Sequence, residues 1–369
     1  MQVCAVTEES AAIERRGLKT DEKGRQLLCS FLRKGDVVAM EVCGYANTLA
    51  RILTKQVGCE VHLLNPGGLA MVWKSRKKTD KEDALKIAKY LRDTPAEEWV
   101  EVPLLSEEEE GFRADITMKE FLKKERGMAI NRLHALYGNE GITDVTKADL
   151  KDDEGRKARH GELSGRSQGY AQMLEEQLKL VEEQLEVMEE VVAEKTRKHE
   201  LTPYVMSIPG VGIGIAAVLL AYLGDGKRFS KAGEVANYAG FAPRVDCSGD
   251  TNHYGSIAKY SYCHPIRGMV LEGVWSISRC SYGGPLREKF QSLAGRMNKR
   301  KSAVAVARKL VTLAWLLMRR REYYNGIDPD TLKKKLKFYK VRGRDGGLLP
   351  DLTVRAPMVR ENQKKSIFS

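Results

Sequence analysis

The sequence predicts an α/β domain at the amino-terminal end, a helical coiled-coil region in the middle and a mostly helical domain at the carboxyl-terminal end. Three observations predict it. Short apolar segments alternate with amphipathic ones over residues 1–100, as in α/β domains. Apolar residues then recur at spacings of four and three within residues 101–200, which is the coiled-coil pattern. Residues 201–325 contain a Pro-Gly-x-Gly turn between predicted helices, and residues 326–369 are predicted to be a basic tail.

Six elements are predicted in the α/β domain. Strands are predicted where apolar residues run together, and helices where they recur every three or four positions. Pro103 and the acidic run Glu107–Glu110 end the domain. In chain order the elements are strand Val3–Val6, helix Gly24–Leu32, strand Val37–Glu41, helix Asn47–Gln56, strand Val61–Leu64 and helix Lys81–Leu91.

Three carboxylates of this domain are candidate metal ligands. Glu41 ends a predicted strand, and Asp80 and Asp83, three residues apart, share one face of a helix that could meet it. Oxygen ligands of this kind suit Mg²⁺ or Mn²⁺. The alternative for Asp80 is a cap at the N terminus of the helix, where acids are favoured.

The coiled-coil region is predicted to be an antiparallel hairpin or a dimer contact. Its heptad seam covers about two and a half repeats, which is short for an independent coiled coil. It therefore either pairs with the predicted helix Phe121–Leu136 or joins two copies. The charged segment Lys147–Arg166 is predicted to be a linker or loop. The seam consists of Leu174, Leu178, Val181, Leu185, Met188 and Val192.

The segment Met206–Ala216 resembles the turn of a helix-hairpin-helix unit. In such a unit the backbone N–H groups at the start of the second helix can hold a DNA phosphate. Gly210 and Gly212 are therefore candidate DNA-binding residues. A nucleotide-binding loop is disfavoured, because no strand precedes the glycines and no Lys-Ser/Thr follows them. Further helices are predicted over Pro265–Ser278 and Ser302–Arg320.

Ser248 is a candidate nucleophile. It precedes Gly249, so backbone could approach closely, and nearby cations could hold the negative charge that develops on an attacked phosphate. A Ser-Gly pair is also typical of an ordinary turn. Cys247 is an alternative nucleophile, but no histidine base stands at a telling spacing. The basic candidates for phosphate and DNA binding are Arg244, Lys259 and Arg267.

The excess positive charge lies in the last quarter of the chain. The net charge is +12, yet residues 286–369 contain 22 Lys and Arg against 7 Asp and Glu, whereas residues 1–285 contain 40 against 43. This asymmetry is expected where one face meets a polyanion. Lys333–Lys337 is expected to be solvated tail, whereas Arg296–Lys301 leads directly into an apolar-faced helix and is the better candidate for that face.

The composition argues against several classes of protein. No apolar run reaches the roughly 18 residues of a membrane span, and the amino-terminal residues lack a signal-peptide pattern. Seven cysteines without a Cys-x-x-Cys pair favour reduced thiols over a disulfide framework or a zinc site. We therefore expect a cytoplasmic protein.

Taken together, the sequence resembles the DEDD transposases of the IS110 insertion-sequence family over about residues 1–325. So many motifs in one order are not expected by chance. The motifs are Met40-Glu41, Gly44-Tyr45, Asn65-Pro66, Lys78-Thr-Asp-x-x-Asp-Ala84, Asn131-Arg132-Leu133, Ser207-Ile-Pro-Gly-x-Gly212, Tyr238-Ala-Gly-Phe-Ala-Pro243, Ser248-Gly249 and Gly255-x-Ile-x-Lys259.

The resemblance implies a RuvC-like (ribonuclease H-like) domain, a coiled-coil region and a C-terminal transposase domain. Four acids would bind Mg²⁺ or Mn²⁺, with Glu41, Asp80 and Asp83 as the second to fourth, and Ser248 would become covalently joined to DNA. It also implies a bacterial or archaeal, nucleoid-associated enzyme that is guided by a structured RNA of its own element. We expect a homo-oligomer, a dimer or tetramer formed through the helical region.

One departure from the family pattern concerns the first acid. The family opens with a strand that carries Gly-Ile-Asp, but Met1–Glu8 aligns with the strand after it. We therefore expect an unfilled sheet edge beside Glu41 and weak or absent activity, from a late start codon or a decayed copy. Two alternatives to a transposase follow: an inactive nucleic-acid-binding remnant that still dimerises, and a structure-selective junction nuclease that needs only the acids.

Overall fold

The computed structural model describes residues 1–7, 14–72, 79–243, 245–248, 251–255, 257, 264–280 and 283–341. The chain divides into two compact units, Met1–Glu107 and Glu108–Ser369. No helix within the described ranges is both long enough and apolar enough to cross a membrane. The fold is mixed, with small sheets and mostly helical structure.

The first unit contains two small sheets. Strand β1 (Gln2–Ala5) pairs antiparallel with β2 (Glu14–Gly17). In the other sheet β3 (Val37–Glu41) runs parallel to β4 (Glu60–Leu64), and β5 (Glu101–Val102) pairs antiparallel with β4. Among the strands that the structure describes, the order of this sheet is β3-β4-β5, so β3 lies at its edge.

The helices of the first unit cover these strands. Leu28, Leu49, Leu53 and Cys59 form a buried core against side chains of β1 and β3. Every element predicted in this unit is present within a few residues of the expected bounds, whereas β2, β5 and one helix were not predicted. The helices are α1 (Glu22–Phe31), α2 (Ala46–Ile52, continued by a π-helical turn, Leu53–Val57), α3 (Pro66–Val72) and α4 (Asp80–Asp93).

The second unit begins with an antiparallel helical hairpin. Helices α5 (Glu107–Asn139) and α7 (Gly165–Lys198) are its arms. The start of α5 packs near the end of α7, its middle near the middle of α7, and its end near the start of α7. The predicted seam is the buried face of α7. Of the two arrangements that the sequence left open, the hairpin is therefore present within one chain.

The segment between the two arms is not simply a loop, which corrects the expectation for Lys147–Arg166. It contains helix α6 (Asp153–His160), which begins after a cap by Asp152. The Arg156 side chain is 1% exposed and its Nη2 lies 2.8 Å from Oε2 of Glu182 on α7. A charged sequence can therefore dock as a helix, because Arg156 bonds to Glu182 and to the carbonyl of Leu150 while Leu150 and Leu163 beside the helix enter the core.

The remaining helices surround one large core. Helix α9 is apolar on almost every side and is buried by its neighbours, and α13 contributes a long apolar face. The short strands β6 (Val245–Ser248) and β7 (Thr251–Tyr254) form an antiparallel hairpin. The helices are α8 (Thr202–Met206), α9 (Ile213–Leu223), α10 (Ala232–Tyr238), α11 (His264–Arg279), α12 (Gly284–Ala294), α13 (Lys299–Arg320) and α14 (Pro329–Phe338).

Helix α14 corrects a second expectation. Lys333–Lys337 was predicted to be solvated tail, but it lies within this helix. Leu332 and Leu336, one turn apart, are buried in the core. The two leucines, four positions apart within the basic run, are the pattern of a helix with one buried face. The lysines conceal this pattern, because they occupy the exposed face of the docked helix.

Candidate active site and nucleic-acid interface

The two candidate ligands on α4 occupy its first turn. Thr79, not Asp80, is the N-cap residue, and its side-chain oxygen accepts a hydrogen bond from the N–H of Glu82 at 3.4 Å. Asp80 is the first residue of the helix and is exposed, and Asp83 follows one turn later and is partly buried. Thr79 therefore supplies the side-chain cap, whereas the Asp80 carboxylate lies in the first turn, where the helix dipole still favours an acid.

Helix α4 is fixed against the sheet that bears Glu41. The Tyr90 hydroxyl donates to the carbonyl oxygen of Glu98 and accepts from the N–H of Val100, both at 3.1 Å. Tyr90 also packs in one buried cluster with Leu64 of β4. The helix contacts β1 and β3 as well. These contacts place the helix that carries both aspartates beside the strand that ends at Glu41.

The three carboxylates do not form one ligand group. Glu41 is exposed at the end of β3, and an Asp83 oxygen lies 3.3 Å from Nζ of Lys86. No three His, Cys, Asp or Glu side chains among the described residues lie close enough together to hold a metal ion. The donors suit a hard cation because all are carboxylate oxygens. Their assignment as ligands remains a prediction.

Ser248 is the last residue of β6, opposite Thr251 of β7, so residues 249–250 join the two strands. This position at the end of a strand is compatible with both interpretations of Ser248, as a nucleophile and as part of an ordinary turn. Arg244, Gly249 and Lys259 lie outside the described residues. Arg267 lies on α11 and is partly buried. The expected grouping of cations around the serine therefore remains a prediction.

The predicted hairpin turn joins α8 to α9 and packs against α11. Gly210 has a φ of +75°, and a Cβ atom there would lie 2.5 Å from Cγ1 of Ile277 and 2.7 Å from the carbonyl oxygen of Gly273. Gly212 immediately precedes α9, and a Cβ there would lie 3.1 Å from the Tyr339 hydroxyl. Packing therefore explains both glycines, and their role in DNA binding remains a prediction.

Two polar side chains hold the backbone at the start of this turn. The buried Ser207 hydroxyl donates to the carbonyl of Tyr204 at 2.5 Å and accepts from the N–H of Tyr324 at 2.8 Å. The Lys335 ammonium donates to the carbonyls of Met206 at 2.6 Å and Ile208 at 3.0 Å. Burial lowers the pKa of Lys335 to about 8. No local pattern in the sequence indicates this contact.

An exposed basic surface lies where α12 meets α13. Arg296, Lys299, Arg300 and Lys301 are all exposed, and the side chain of Asn298 caps α13 by accepting from the N–H of Arg300 at 2.8 Å. Within the part of the chain that the structure describes, these four cations form no ion pair with a carboxylate. With Arg308 they are called the α12–α13 basic surface below.

The positive potential of this surface extends to its partly buried neighbours. Burial lowers the pKa of Lys309, and the charges of Lys289 and Arg308 lower it further. Like charges this close disfavour the charged form of Lys309, as burial does. The exposure of the cations of the α12–α13 basic surface is as the sequence predicted for Arg296–Lys301, and their contact with phosphate remains a prediction.

The first unit thus has one candidate acid at a strand end and two on a helix, and the helical second unit has an exposed basic surface. Two family models match this chain. One, a DEDD transposase model of the IS110 type, covers residues 1–137, and the other, "Transposase IS116/IS110/IS902 family", covers residues 202–291. The chain therefore belongs to the IS110 family of DEDD transposases, enzymes of insertion sequences.

Individual relatives agree with this assignment. The chain is 25% identical to the transposase for insertion sequence element IS1111A of Coxiella burnetii over 336 residues, 88% of each chain. It is 26% identical to the transposase for IS1328 of Yersinia enterocolitica, over 76% of this chain and 83% of that one. A 43.6 kDa IS110 protein of Streptomyces coelicolor is 30% identical, but over only 36% of this chain and 32% of its own length. Membership of a DEDD family implies dependence on a divalent metal ion in general terms.

Proposed function

We propose that this protein moves an insertion sequence by metal-assisted, serine-dependent cleavage and exchange of DNA strands, directed by an RNA of the element. The main support for the proposal is that the two family matches cover different parts of the chain and that each part contains candidate site residues. Residues 1–137 contain all three candidate acids, and residues 202–291 contain Ser248 and Arg267. We infer a RuvC-like arrangement for the first unit, with β3 and β4 as its parallel strands.

Ser248 is the proposed nucleophile. Its hydroxyl oxygen forms a bond to the phosphorus of a DNA phosphodiester, the bond from phosphorus to the leaving strand breaks, and the proton passes to solvent or to that strand. The cations Arg244, Lys259 and Arg267 would offset the charge that gathers on the phosphate oxygens. A hydroxyl of the partner strand then reverses the step and completes the exchange.

Glu41, Asp80 and Asp83 would hold the divalent ion, Mg²⁺ or Mn²⁺. When bound, such an ion would withdraw charge from the phosphate and lower the pKa of an attacking hydroxyl. The position of α4 supports this assignment, because Tyr90 and Leu64 hold the helix beside the sheet that carries Glu41. The three carboxylates would have to move closer together to share one ion. Asp83 would have to exchange its contact with Lys86 for the ion.

Recognition of nucleic acid would rest on the phosphate backbone. The α12–α13 basic surface and the N–H groups around Gly210 and Gly212 contact phosphates, while pairing with a guide RNA supplies sequence selectivity. Two or four copies would act together through the helical region, since strand exchange joins more than one DNA end.

Matched variants of one helical turn test the metal assignment. Asp80→Asn should abolish exchange between plasmids that carry the ends of the element, in the presence of its RNA and Mg²⁺, and should weaken Mn²⁺ binding measured by titration. Glu82→Gln, in the same turn, should change neither. Equal losses for the two variants, or normal Mn²⁺ binding by Asp80→Asn, would show that Asp80 is not a ligand.

The variant Ser248→Ala distinguishes the proposed transposase from the two alternative functions. If the protein is a transposase, this variant should bind DNA normally but join no strands. A junction nuclease would still cleave branched DNA without Ser248, and an inactive remnant would bind DNA without cutting it in any form of the chain.

A further inference from the structure

Arg228 is held between two aromatic rings. It lies in the loop between α9 and α10, and its guanidinium carbon is 4.4 Å from the centre of the Phe229 ring and 4.3 Å from that of Tyr238. Its Nη2 donates a hydrogen bond to the carbonyl oxygen of Tyr222 at the end of α9. Both rings attract the cation, and together they fix the plane of the guanidinium group.

Aromatic rings, and not an acid, keep this arginine in place. As far as the structure describes the chain, Arg228 forms no ion pair, and its Nε is buried without a hydrogen-bond partner. Asp225, the nearest acid along the chain, is paired with Lys227 at 2.9 Å. Arg156, by contrast, is buried against the carboxylate of Glu182. The contacts of Arg228 therefore connect its loop mainly to Tyr238.

The loop that carries Arg228 is itself fixed to α13. Nε1 of Trp315 donates to the carbonyl oxygen of Gly226 at 2.8 Å, and Nη1 of Arg319 donates to that of Phe229 at 3.1 Å. The Phe229 side chain is also buried in the main core of the second unit. Because α13 is a long helix within the same core, Arg228 extends from a rigid base.

Tyr238 ends α10, and the chain turns sharply after it. Gly240 has a φ of +76°, and its N–H donates to the carbonyl of Asn237 at 2.9 Å. The N–H of Phe241 donates to the carbonyl of Ala236 at 2.7 Å, which completes a Schellman motif. The Phe241 side chain is then buried in the core. The motif that begins at Tyr238 therefore ends the helix and anchors the chain at two aromatic side chains.

This anchor lies shortly before β6, the strand that ends at Ser248. Of the strands described in the structure, β6 and β7 pair only with each other. A two-stranded hairpin is at best marginally stable by itself. The position of Ser248 therefore depends on the point from which the hairpin extends, which is the anchored end of α10.

We propose that Arg228 is a positioning residue for Ser248: it clamps Tyr238 and thereby fixes the end of α10 from which the β6–β7 hairpin extends. The proposal rests on the proposed function, in which the Ser248 hydroxyl attacks a DNA phosphodiester. Arg228 acts through Tyr238 and the turn after it, without touching DNA. Attack on phosphorus requires close alignment, and a displacement of about 1 Å can reduce the rate of such a step by about 100-fold.

Hydrogen exchange of the full chain without DNA tests the clamp itself. In Arg228→Ala the amides of residues 245–254 should exchange about ten-fold faster or more than in the wild type, because the hairpin loses its fixed origin. The amides of α7 should be unaffected. Lys227→Ala, at the exposed neighbouring position, is the control and should exchange like the wild type. Unchanged exchange of residues 245–254 in Arg228→Ala would overturn the proposal, whatever the identity of the nucleophile.

Reaction with DNA tests the consequence for Ser248. With plasmid carrying the ends of the element, its RNA and Mg²⁺, the rate of covalent joining to Ser248 in Arg228→Ala should fall about 10- to 100-fold. Its affinity for the DNA and the salt dependence of that affinity should stay as in the wild type. A weaker affinity with a smaller salt slope would make Arg228 a phosphate contact and overturn the positioning role. A wild-type chain that forms no adduct on Ser248 would contradict the proposed function, whereas the exchange result would still decide the clamp.

Chemical rescue separates the clamp from a general loss of stability. Arg228→Ala leaves a gap between two rings that a free guanidinium ion can fill, so millimolar guanidinium chloride should restore much of the joining rate. The same concentration of sodium chloride should not. Tyr238→Ala lacks one ring and should not be rescued. Arg228→Lys keeps the stem and the charge but not the planar group, and it should fold normally and still react slowly. Equal responses of Arg228→Ala and Tyr238→Ala to guanidinium, or full activity of Arg228→Lys, would overturn the proposal.

Discussion

Nζ of Lys335 lies 2.6 Å from the carbonyl oxygen of Met206, although 129 residues separate them along the chain. The same ammonium group also reaches the carbonyl of Ile208 at 3.0 Å. Helix α14 therefore holds the turn that precedes α9 by two of its backbone carbonyl groups. A positive charge within a basic segment here has a structural role, separate from any contact with nucleic acid.

Lys335→Met should destabilise the second unit. The variant keeps the apolar stem of the side chain but leaves two carbonyl groups without their donor, which typically costs about 1–3 kcal/mol. Urea unfolding followed by circular dichroism measures the loss. Lys334→Met, at the exposed neighbouring position, should change stability by less than about 0.5 kcal/mol. Equal effects of the two substitutions would show that the Lys335 contacts contribute nothing.

The stability contributed at Lys335 should rise with pH. Burial lowers the pKa of Lys335 from 10.5 to about 8, so between these values the unfolded chain binds more protons than the folded chain. The free energy of unfolding then increases with pH. The stability difference between the wild type and Lys335→Met should widen by about 2 kcal/mol from pH 7.5 to pH 9.5. A difference that stays constant or narrows would contradict a buried ammonium group.

Gly210→Ala should disrupt the turn. The left-handed φ of +75° disfavours a side chain, and the new Cβ would lie 2.5 Å from a side-chain atom of Ile277 and 2.7 Å from a backbone oxygen of Gly273. We expect a loss of about 2 kcal/mol or more. Gly127→Ala, on α5 with no atom within 4 Å of its Cβ, should instead stabilise by about 0.5–1 kcal/mol. Tolerance of alanine at position 210 would mean that the turn is not packed as described.

The α12–α13 basic surface should contribute a salt-dependent part of the affinity for nucleic acid. Each phosphate contact that is lost should reduce the slope of log affinity against log salt by about one. Fluorescence anisotropy with a duplex of arbitrary sequence measures the slope for Lys299→Ala and Arg300→Ala. Lys227→Ala is the control, because Lys227 is equally exposed but paired with Asp225 at 2.9 Å. If the slope is unchanged in the double variant Lys299→Ala/Arg300→Ala, this surface does not contact nucleic acid. Deleting residues 333–369 is not a clean test, since it removes most of α14.

Local pattern predicted most of the fold. Strands β3 and β4 were predicted from apolar runs, and the buried face of α7 from apolar spacings of four and three. Both patterns arise mainly because apolar side chains avoid water. The polar strand β2, whose sequence is Glu14-Arg-Arg-Gly17, has no such pattern and forms only because β1 supplies its hydrogen bonds. Helices α6 and α14 were hidden by their charge, because their docking depends on partners far away in sequence.

The candidate site was less predictable than the fold. Two glycines chosen for phosphate contact are explained by packing against α11 and Tyr339, which no spacing rule reveals. The acids were placed on the correct elements, but whether carboxylates from β3 and α4 meet depends on tertiary geometry and on the charge of an ion. Lys335 gave no local signal, because its partners are backbone carbonyls more than 120 residues away.

The central claim, that Ser248 carries the DNA strand, is tested most directly by finding the residue that becomes covalently joined to DNA. The full chain is incubated with plasmid carrying the ends of the element, its RNA and Mg²⁺, then denatured and digested with nuclease and trypsin. Mass spectrometry should find the peptide 245–259 with a residual nucleotide that fragmentation localises to Ser248. The adduct should disappear in Ser248→Ala and persist in Ser256→Ala and Cys247→Ala. A nucleotide on Cys247 or Ser256, or full strand exchange by Ser248→Ala, would contradict the claim.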